Sequence, residues 1–228
     1  MTRLHRTRLL FGDDGTQKLQ TATVMVVGCG AVGSFAIEAL ARSGIGHLIV
    51  VDFDTVEESN INRQLFALDS TVGQPKVSVA KNRIHDINPE IHVTALNMFF
   101  DDASQIDVMP DFIIDAIDTV ESKVALYKWA HAHNVPIISS MGAASKTDIS
   151  QIKIAPLSKT SVCPLAGRVR RMVRDLDLPD IPVVYSTQVP QPVTGHAKNL
   201  GSVITVTGCF GLNLANYVIG KIIQDIWS

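Results

Sequence analysis

Cysteine is scarce in this chain, and the cysteines present follow no metal-binding or disulfide pattern. Among 228 residues only Cys29, Cys163 and Cys209 occur, far apart and without a C-x-x-C pair. This excludes a zinc ribbon and a small disulfide-linked scaffold. Such cysteine use is typical of proteins from a reducing cytoplasm.

A large excess of charge of one sign is also absent. The formal net charge is −2, which excludes a general attraction to nucleic acid, so any such contact must come from a local patch. The N-terminal segment MTRLHRTRLLFGDDG lacks the apolar stretch of a secretory signal. We therefore expect a cytoplasmic protein.

Long uninterrupted apolar runs are missing as well. The run from Leu200 to Trp227 is apolar, but polar residues and glycines interrupt it. We predict a buried strand from Ser202 to Thr207 and a helix from Gly211 to Ile226. This interpretation predicts no membrane span.

The rest of the chain alternates between short apolar runs and helix-like segments. Strands are predicted at 24–27, 48–51, 91–96, 112–116 and 136–140, and helices at 32–43, 76–88 and 122–133. This order is typical of an α/β fold with a Rossmann-like, doubly wound and mostly parallel sheet. Ligands of such sheets bind at the carboxyl ends of the strands.

The pattern changes after about residue 145. A strand over 151–155, a basic helix over 168–175 and a loop with four prolines over 178–197 are predicted there. We expect a single domain over residues 1–228, because 46% of the residues are hydrophobic and can form one sizeable core. Within it we predict a nucleotide-binding core at 1–145 and a C-terminal α/β extension for substrate or dimer contacts at 146–228, with its loop at 178–200.

A glycine-rich loop follows the first predicted strand. In VVGCGAVGS, residues 26–34, Gly28, Gly30 and Gly33 precede a predicted helix, the context in which such a loop holds a phosphate on a helix N-terminus. Asp52 lies nineteen residues after Gly33, at the end of the second strand. An acidic side chain there accepts hydrogen bonds from a ribose hydroxyl. These residues predict a bound nucleotide.

Polar and cationic residues after Asp52 favour ATP over a nicotinamide cofactor. Asn60, Asn62, Arg63 and Gln64 form a cluster, and Lys76 follows in VGQPKV. Fixed cations suit a triphosphate, whereas hydride transfer does not require them.

Taken singly, each of these residues also has a structural interpretation. Asp118 can cap the helix that begins near Ser122, Lys76 can be a solvated surface lysine, and Asn60 can be a turn residue.

Several motifs together resemble the ThiF/MoeB/HesA family of ATP-dependent activating enzymes, which are related to the ubiquitin-activating enzymes. The motifs are GCGAVGS, VDFDTVEESNINRQ, VGQPKV, INPE and DAIDTVESK, in the family's order and spacing. The resemblance implies that Asp52 binds the ribose, that Asn60, Arg63 and Lys76 contact the phosphates, and that Asp118 holds Mg²⁺. It also implies a homodimer, in which Arg8 reaches the ATP of the partner subunit.

Within that family the chain looks like the tRNA threonylcarbamoyladenosine dehydratase branch. The resemblance is based on the segments DAIDTV, KTSVCPLAGRVR and VVYST. It is also based on the absence of C-x-x-C zinc pairs and of any cysteine between Pro164 and Gly208. The resemblance implies adenylation of the threonyl carboxylate of a modified adenosine beside the tRNA anticodon, followed by intramolecular ring closure. A nucleophile tethered in the substrate makes a covalent enzyme intermediate unnecessary.

Four arginines of the predicted basic helix are candidates for contact with tRNA phosphates. They are Arg168, Arg170, Arg171 and Arg174. A solvated helix face is the alternative interpretation. His196, in the proline-rich loop, is a further residue that could approach the substrate.

Two other functions stay open at this level. One is adenylation of the C-terminal glycine of a ubiquitin-like sulfur-carrier protein, for which Cys163 has to supply the thiol. The other is a non-catalytic ATP-binding adaptor for a cysteine desulfurase or its sulfur-acceptor protein. The full set of charged site residues disfavours the adaptor.

Overall fold

The structure, a computed structural model, describes residues 2–192 and 200–223. Its strands are β1 (Thr23–Val27), β2 (His47–Asp52), β3 (His92–Asn97), β4 (Phe112–Asp115), β5 (Ile137–Ser140), β6 (Ile152–Pro156) and β7 (Pro182–Ser186). Its helices are α1 (His5–Thr21), α2 (Gly33–Ser43), α3 (Lys76–Ile87), α4 (Val120–Ala132), α5 (Pro164–Val173) and α6 (Ile204–Ile222).

The seven strands form one sheet in the order β3-β2-β1-β4-β5-β7-β6. All pairs are parallel except β6 with β7. The chain runs outward from β1 through β2 to β3 and then returns to place β4 on the other side of β1. The sheet therefore has its topological switch point between β1 and β4, where ligands of doubly wound sheets bind.

Alternate residues of the central strands pack into two cores, one on each face of the sheet. Val24 and Val26 of β1 face the core formed with α2, α3 and α6, whereas Met25 and Val27 face the core formed with α4 and α5. This burial of both strand faces explains why the parallel strands are continuous apolar runs in the sequence. The predicted fold class is confirmed.

The predicted strand at Ser202 to Thr207 is wrong, because α6 begins at Ile204. A short apolar run rich in β-branched residues does not distinguish a strand from a buried helix. Helical spacing decides: Val206, Phe210 and Leu214 recur every four residues, and all are fully buried. The predicted helix end at Ile226 lies outside the described residues.

The prediction of a loop throughout 178–197 is also wrong, because β7 lies within it. β7 pairs with β5 on one side and with β6 on the other, so the sheet continues past residue 145 without interruption. Its only proline, Pro182, is the first residue of the strand, a position that a sheet tolerates.

Two helices, α5 and α1, required smaller corrections. The basic helix starts at Pro164, which occupies its first turn, and ends at Val173. α1 precedes the sheet, in a region for which the sequence patterns predicted no element.

No helix in the described part of the chain is both long and apolar enough to cross a membrane.

Candidate active site

A cavity of about 350 Å³ lies at the carboxyl ends of β1 to β4. Most of the residues predicted from the motifs line it: Gly28, Gly30, Asp52, Asn60, Arg63, Lys76 and Asp118. The volume falls in the range of small-molecule sites. Residues up to 90 positions apart in the sequence, Gly28 and Asp118, are thus brought to one place by the parallel order of the strands.

The glycine loop connects β1 to α2 with little room for side chains. Gly28 has φ +97°, and a Cβ there would lie 2.7 Å from the carbonyl oxygen of Ala116, on the β4 loop. A Cβ on Gly33 would lie 1.7 Å from the carbonyl oxygen of Gly28. A Cβ on Gly30 would meet only the Gln64 side chain, at 3.8 Å. Gly28 and Gly33 therefore serve the chain's own packing, whereas the space beside Gly30 is open to a ligand.

Asp52 connects the end of β2 to the glycine loop. Its Oδ2 accepts a hydrogen bond from the Cys29 N–H at 2.6 Å, and its Oδ1 accepts one from the Asp54 N–H at 2.9 Å. Burial raises the pKa of Asp52, and these two hydrogen bonds partly offset that effect. Each carboxylate oxygen has a second lone pair, so Asp52 can still accept a ribose hydroxyl.

Lys76 is the first residue of α3 and is buried against the cavity. The loop after β2 folds back on residues 73–76, since Val56 N donates to Gln74 O and Lys76 N to Asp54 O. This pairing places the Lys76 ammonium 2.7 Å from Asp54 Oδ2. Lys76 is therefore not the solvated surface lysine of the alternative interpretation. Asp54, which the sequence analysis missed, follows Asp52 by two residues in the quoted VDFDTV motif.

Arg63 and Asn60 lie in the turn that follows β2. Arg63 donates to the Ser59 carbonyl and to Asn62 Oδ1, both at 2.8 Å. Asn60 is buried and accepts a hydrogen bond from Glu57 N–H at 3.2 Å. Asn60 thus stabilises the turn and also lines the cavity, so its two interpretations hold together.

Asp118 follows β4 and lies just before α4, with its carboxylate exposed at the cavity. No group of three or more His, Cys, Asp and Glu side chains within residues 2–192 and 200–223 is arranged to hold a metal ion. Asp118 therefore offers an exposed carboxylate at the cavity and is not one ligand of a cage made of protein side chains. That arrangement suits Mg²⁺, which is usually held by one or two carboxylates together with substrate phosphates.

Some predicted residues lie away from the cavity. In the described chain Arg8 forms an exposed ion pair with Asp13 and does not line the cavity. Asn62 donates to the Ser202 carbonyl at 3.1 Å, which attaches the start of α6 to this turn. His196 lies outside the described residues.

The four arginines of the predicted basic helix do not form one face, and Arg174 lies just after the end of α5. Arg170 donates through Nη1 to the Thr160 carbonyl at 2.9 Å, and it also contacts the Thr160 hydroxyl. Arg168, Arg171 and Arg174 are exposed. Arg170 is therefore a structural residue, and only the other three are open to a polyanion.

A buried polar network beneath the cavity is a second feature that the sequence analysis missed. Lys123 Nζ lies 2.8 Å from Asp115 Oδ2, and both side chains are 0% exposed. Asp115 also accepts hydrogen bonds from the Ser139 hydroxyl and from the Ile117 N–H. The network thus fixes the loop that carries Asp118. Asp115 and Lys123 both belong to the quoted motif DAIDTVESK. An acidic residue and a lysine close to an apolar run could have indicated this buried pair.

An aromatic pair borders the cavity. Phe53 and Phe99 contact edge to face, with ring centroids 5.0 Å apart, and both are about half exposed. Exposed rings at the end of a nucleotide cavity suit stacking with a purine.

The cavity thus combines a glycine loop, a ribose-type carboxylate, two cations and an exposed carboxylate. The model of the ThiF family matches residues 4–225. The chain belongs to the ThiF family. Its two cores, its sheet and the cavity all lie within the matched residues.

Relatives of known name within the ThiF family include a dehydratase and an adenylyltransferase. The tRNA threonylcarbamoyladenosine dehydratase of Bacillus subtilis (strain 168) is 47% identical over 189 residues, which cover 81% of this chain and 74% of the relative. The molybdopterin-synthase adenylyltransferase of Escherichia coli (strain K12) is 38% identical over 152 residues, which cover 65% of this chain and 60% of the relative.

A solved structure resembles almost the whole chain. The crystal structure of E. coli tRNA N6-threonylcarbamoyladenosine dehydratase in complex with ATP has a TM-score of 0.91 and 33% sequence identity, and the match covers 98% of this chain and 94% of that one. The likeness therefore extends to the C-terminal part, including α5 and β7.

Proposed function

We propose that this chain is an ATP-dependent tRNA threonylcarbamoyladenosine dehydratase. The observation that carries the proposal is that one cavity gathers the glycine loop, Asp52, Arg63, Lys76 and Asp118. The similarity to dehydratases over most of the chain supports the same substrate.

In the proposed reaction the threonyl carboxylate attacks the α-phosphorus of ATP. A bond forms between a carboxylate oxygen and that phosphorus, and pyrophosphate leaves. A nucleophile of the same modified nucleoside then attacks the acyl carbon, AMP leaves with the oxygen, and the nucleophile loses its proton. The sum is loss of one water from the nucleoside and conversion of ATP to AMP and pyrophosphate.

Two anions meet in the first step, so cations at the cavity lower its barrier. Lys76 and Arg63 stabilise the charge that grows on the departing pyrophosphate. Asp52 holds the ribose and thereby orients the α-phosphate toward the carboxylate. The exposed carboxylate of Asp118 fits Mg²⁺, which when bound neutralises phosphate charge.

The alternative function, activation of a ubiquitin-like sulfur carrier, receives less support. It requires a reactive thiol at Cys163, which is 4% exposed and packs in the core between the sheet and α5. Burial also raises the pKa of Cys29 well above its ordinary value, so this thiol is inert as well.

The proposal extends to assembly and location. We propose a homodimer in which Arg8 contacts the nucleotide of the partner, since Arg8 does not line its own cavity and is exposed. Residues 1–145 then bind the nucleotide, and residues 146–228 contact substrate or partner. A tRNA substrate supports a cytoplasmic location, and we propose a cysteine desulfurase or its sulfur acceptor as a further partner.

Mass spectrometry of tRNA nucleosides tests the function. tRNA that carries threonylcarbamoyladenosine is incubated with the protein and Mg-ATP, and we expect the nucleoside to lose one water while AMP and pyrophosphate appear. Omission of ATP and the Lys76→Ala variant are the controls. An unchanged nucleoside, with adenylation of a sulfur carrier's C-terminal glycine instead, would favour the alternative.

A further inference from the structure

The N-terminus of α4 opens toward the cavity without a side-chain cap. Thr119 occupies the N-cap position and lines the cavity, but its side chain accepts no hydrogen bond from the first turn. The first N–H groups of a helix have no partner within the helix. They also carry the positive end of the helix dipole, which favours an anionic acceptor.

Ser122, in the same turn, adds a hydroxyl without a partner. Its residue is 3% exposed and lines the cavity. Across the described ranges, 2–192 and 200–223, its Oγ is the one buried side-chain oxygen or nitrogen that lacks a hydrogen bond. Native proteins pair nearly all such groups, because burial of an unpaired hydroxyl is unfavourable. A ligand in the cavity can supply the missing partner.

The charges of the cavity call for such additional donors. Asp52, Asp54 and Asp118 supply three carboxylates against the two cations Lys76 and Arg63. Lys76 is moreover already paired with Asp54. A negatively charged ligand therefore needs positive potential from elsewhere, and the N-termini of α2 and α4 provide it from the two sides of the switch point.

We propose that Ser122 Oγ and the first-turn N–H groups of α4 form an oxyanion subsite of the cavity. Its ligand is an oxygen of the nucleotide α-phosphate or of the carboxylate that attacks it. The inference rests on the proposed function, in which these two oxyanions meet at one phosphorus. Ser122 is then a ligand-contacting residue and not a packing residue of α4.

Three variants test the subsite. Ser122→Ala removes the hydroxyl, Ser122→Thr keeps it, and Glu121→Gln is an exposed control in the same turn. Calorimetry measures the binding of AMP and of adenosine, and steady-state kinetics measures the KM for modified tRNA.

The expected result depends on which oxyanion binds. If the phosphate binds there, Ser122→Ala weakens the binding of AMP about tenfold, which is the effect of one hydrogen bond to a charged group. The binding of adenosine is then unchanged. For the carboxylate, AMP binding is unchanged and the KM for tRNA rises. Ser122→Thr restores the affected quantity, and Glu121→Gln changes neither.

Thermal unfolding separates ligand binding from a structural role. Because the hydroxyl has no partner in the unliganded protein, Ser122→Ala should leave its Tm unchanged or raise it. A lower unliganded Tm, equal weakening of AMP and adenosine, or no effect on AMP and tRNA would each overturn the subsite.

Failure of the proposed function gives a different result. Wild-type protein that binds AMP but leaves tRNA unmodified contradicts the function alone, and the AMP measurement then decides the subsite by itself. Wild-type protein that binds no nucleotide contradicts both.

Discussion

Lys76 and Asp54 form an ion pair with unequal burial: Nζ and Oδ2 are 2.7 Å apart, while the side chains are 7% and 46% exposed. The carboxylate is therefore partly open to solvent, whereas the ammonium is enclosed at the cavity. A triphosphate that enters the cavity therefore meets a lysine already in place and displaces only its carboxylate partner.

Removal of the lysine should impair turnover far more than removal of its partner. Lys76→Ala and Asp118→Ala are expected to lower kcat by about a hundredfold or more, because they remove stabilisation that grows as pyrophosphate leaves. Asp54→Asn should keep kcat within about tenfold of wild type, since the ammonium stays. Steady-state kinetics with varied ATP concentration measures kcat and the KM for ATP.

Asp52→Ala is the contrasting variant in the same series. It removes a contact that is equal in the ground state and the transition state, so the KM for ATP should rise with little change in kcat. Near-normal turnover of Lys76→Ala would contradict the adenylation assignment.

The buried pair of Asp115 and Lys123 should contribute strongly to stability. Lys123→Met leaves the Asp115 carboxylate buried without its cation and is expected to lower the free energy of unfolding by about 3–5 kcal/mol. Lys128→Met, on the same helix, breaks an exposed pair with Asp102 and should cost less than about 1 kcal/mol. Urea unfolding compares the two. A double variant with Asp115→Asn should lose less than the sum of the single losses.

Arg8 should act across the interface of the proposed homodimer. When Arg8→Ala protein is mixed with Lys76→Ala protein, heterodimers contain one site with both residues intact, so part of the activity should return. Activity is measured on heterodimers isolated with two different affinity tags. If verified heterodimers show no recovery, Arg8 acts within its own chain or outside the site.

The exposed arginines of α5 should contact tRNA, and the anchored one should not. The double variant Arg168→Glu, Arg171→Glu is expected to weaken tRNA binding. The slope of the logarithm of the binding constant against the logarithm of the salt concentration should become shallower by about one for each lost phosphate contact. Arg170→Ala should mainly lower Tm, because it releases the Thr160 carbonyl. Filter binding over a salt series gives the slopes, and equal slopes for wild type and the double variant would exclude this surface.

Catalysis should not depend on a thiol. The triple variant Cys29→Ala, Cys163→Ser, Cys209→Ala is expected to keep most of its ATP-dependent dehydration of tRNA, because the proposed ring closure occurs within the substrate. Circular dichroism must first show that it folds, since Cys29 and Cys163 are buried. A folded triple variant without activity, matched by Cys163→Ser alone, would support the sulfur-carrier function.

Short-range patterns were sufficient to predict the parallel strands β1 to β5 and the nucleotide loop, but not β7. β1 and β2 are apolar runs buried on both faces, and Gly28 follows β1 where the backbone requires a positive φ. These features depend on neighbouring residues and on the period of each element. The position of Asp52 at a strand end then follows from the parallel order.

Other features depend on which groups meet across long sequence separations. Asp54 meets Lys76 through a loop pairing, Arg170 meets a backbone carbonyl, and Ser122 is buried at the cavity without a partner. The segment at Ser202 to Thr207 is another case, because its local pattern permits a strand and only the packing of α6 on α2 makes it helical. In each case the sequence supplies the chemical group, and the tertiary contacts decide its partner, its burial and hence its role.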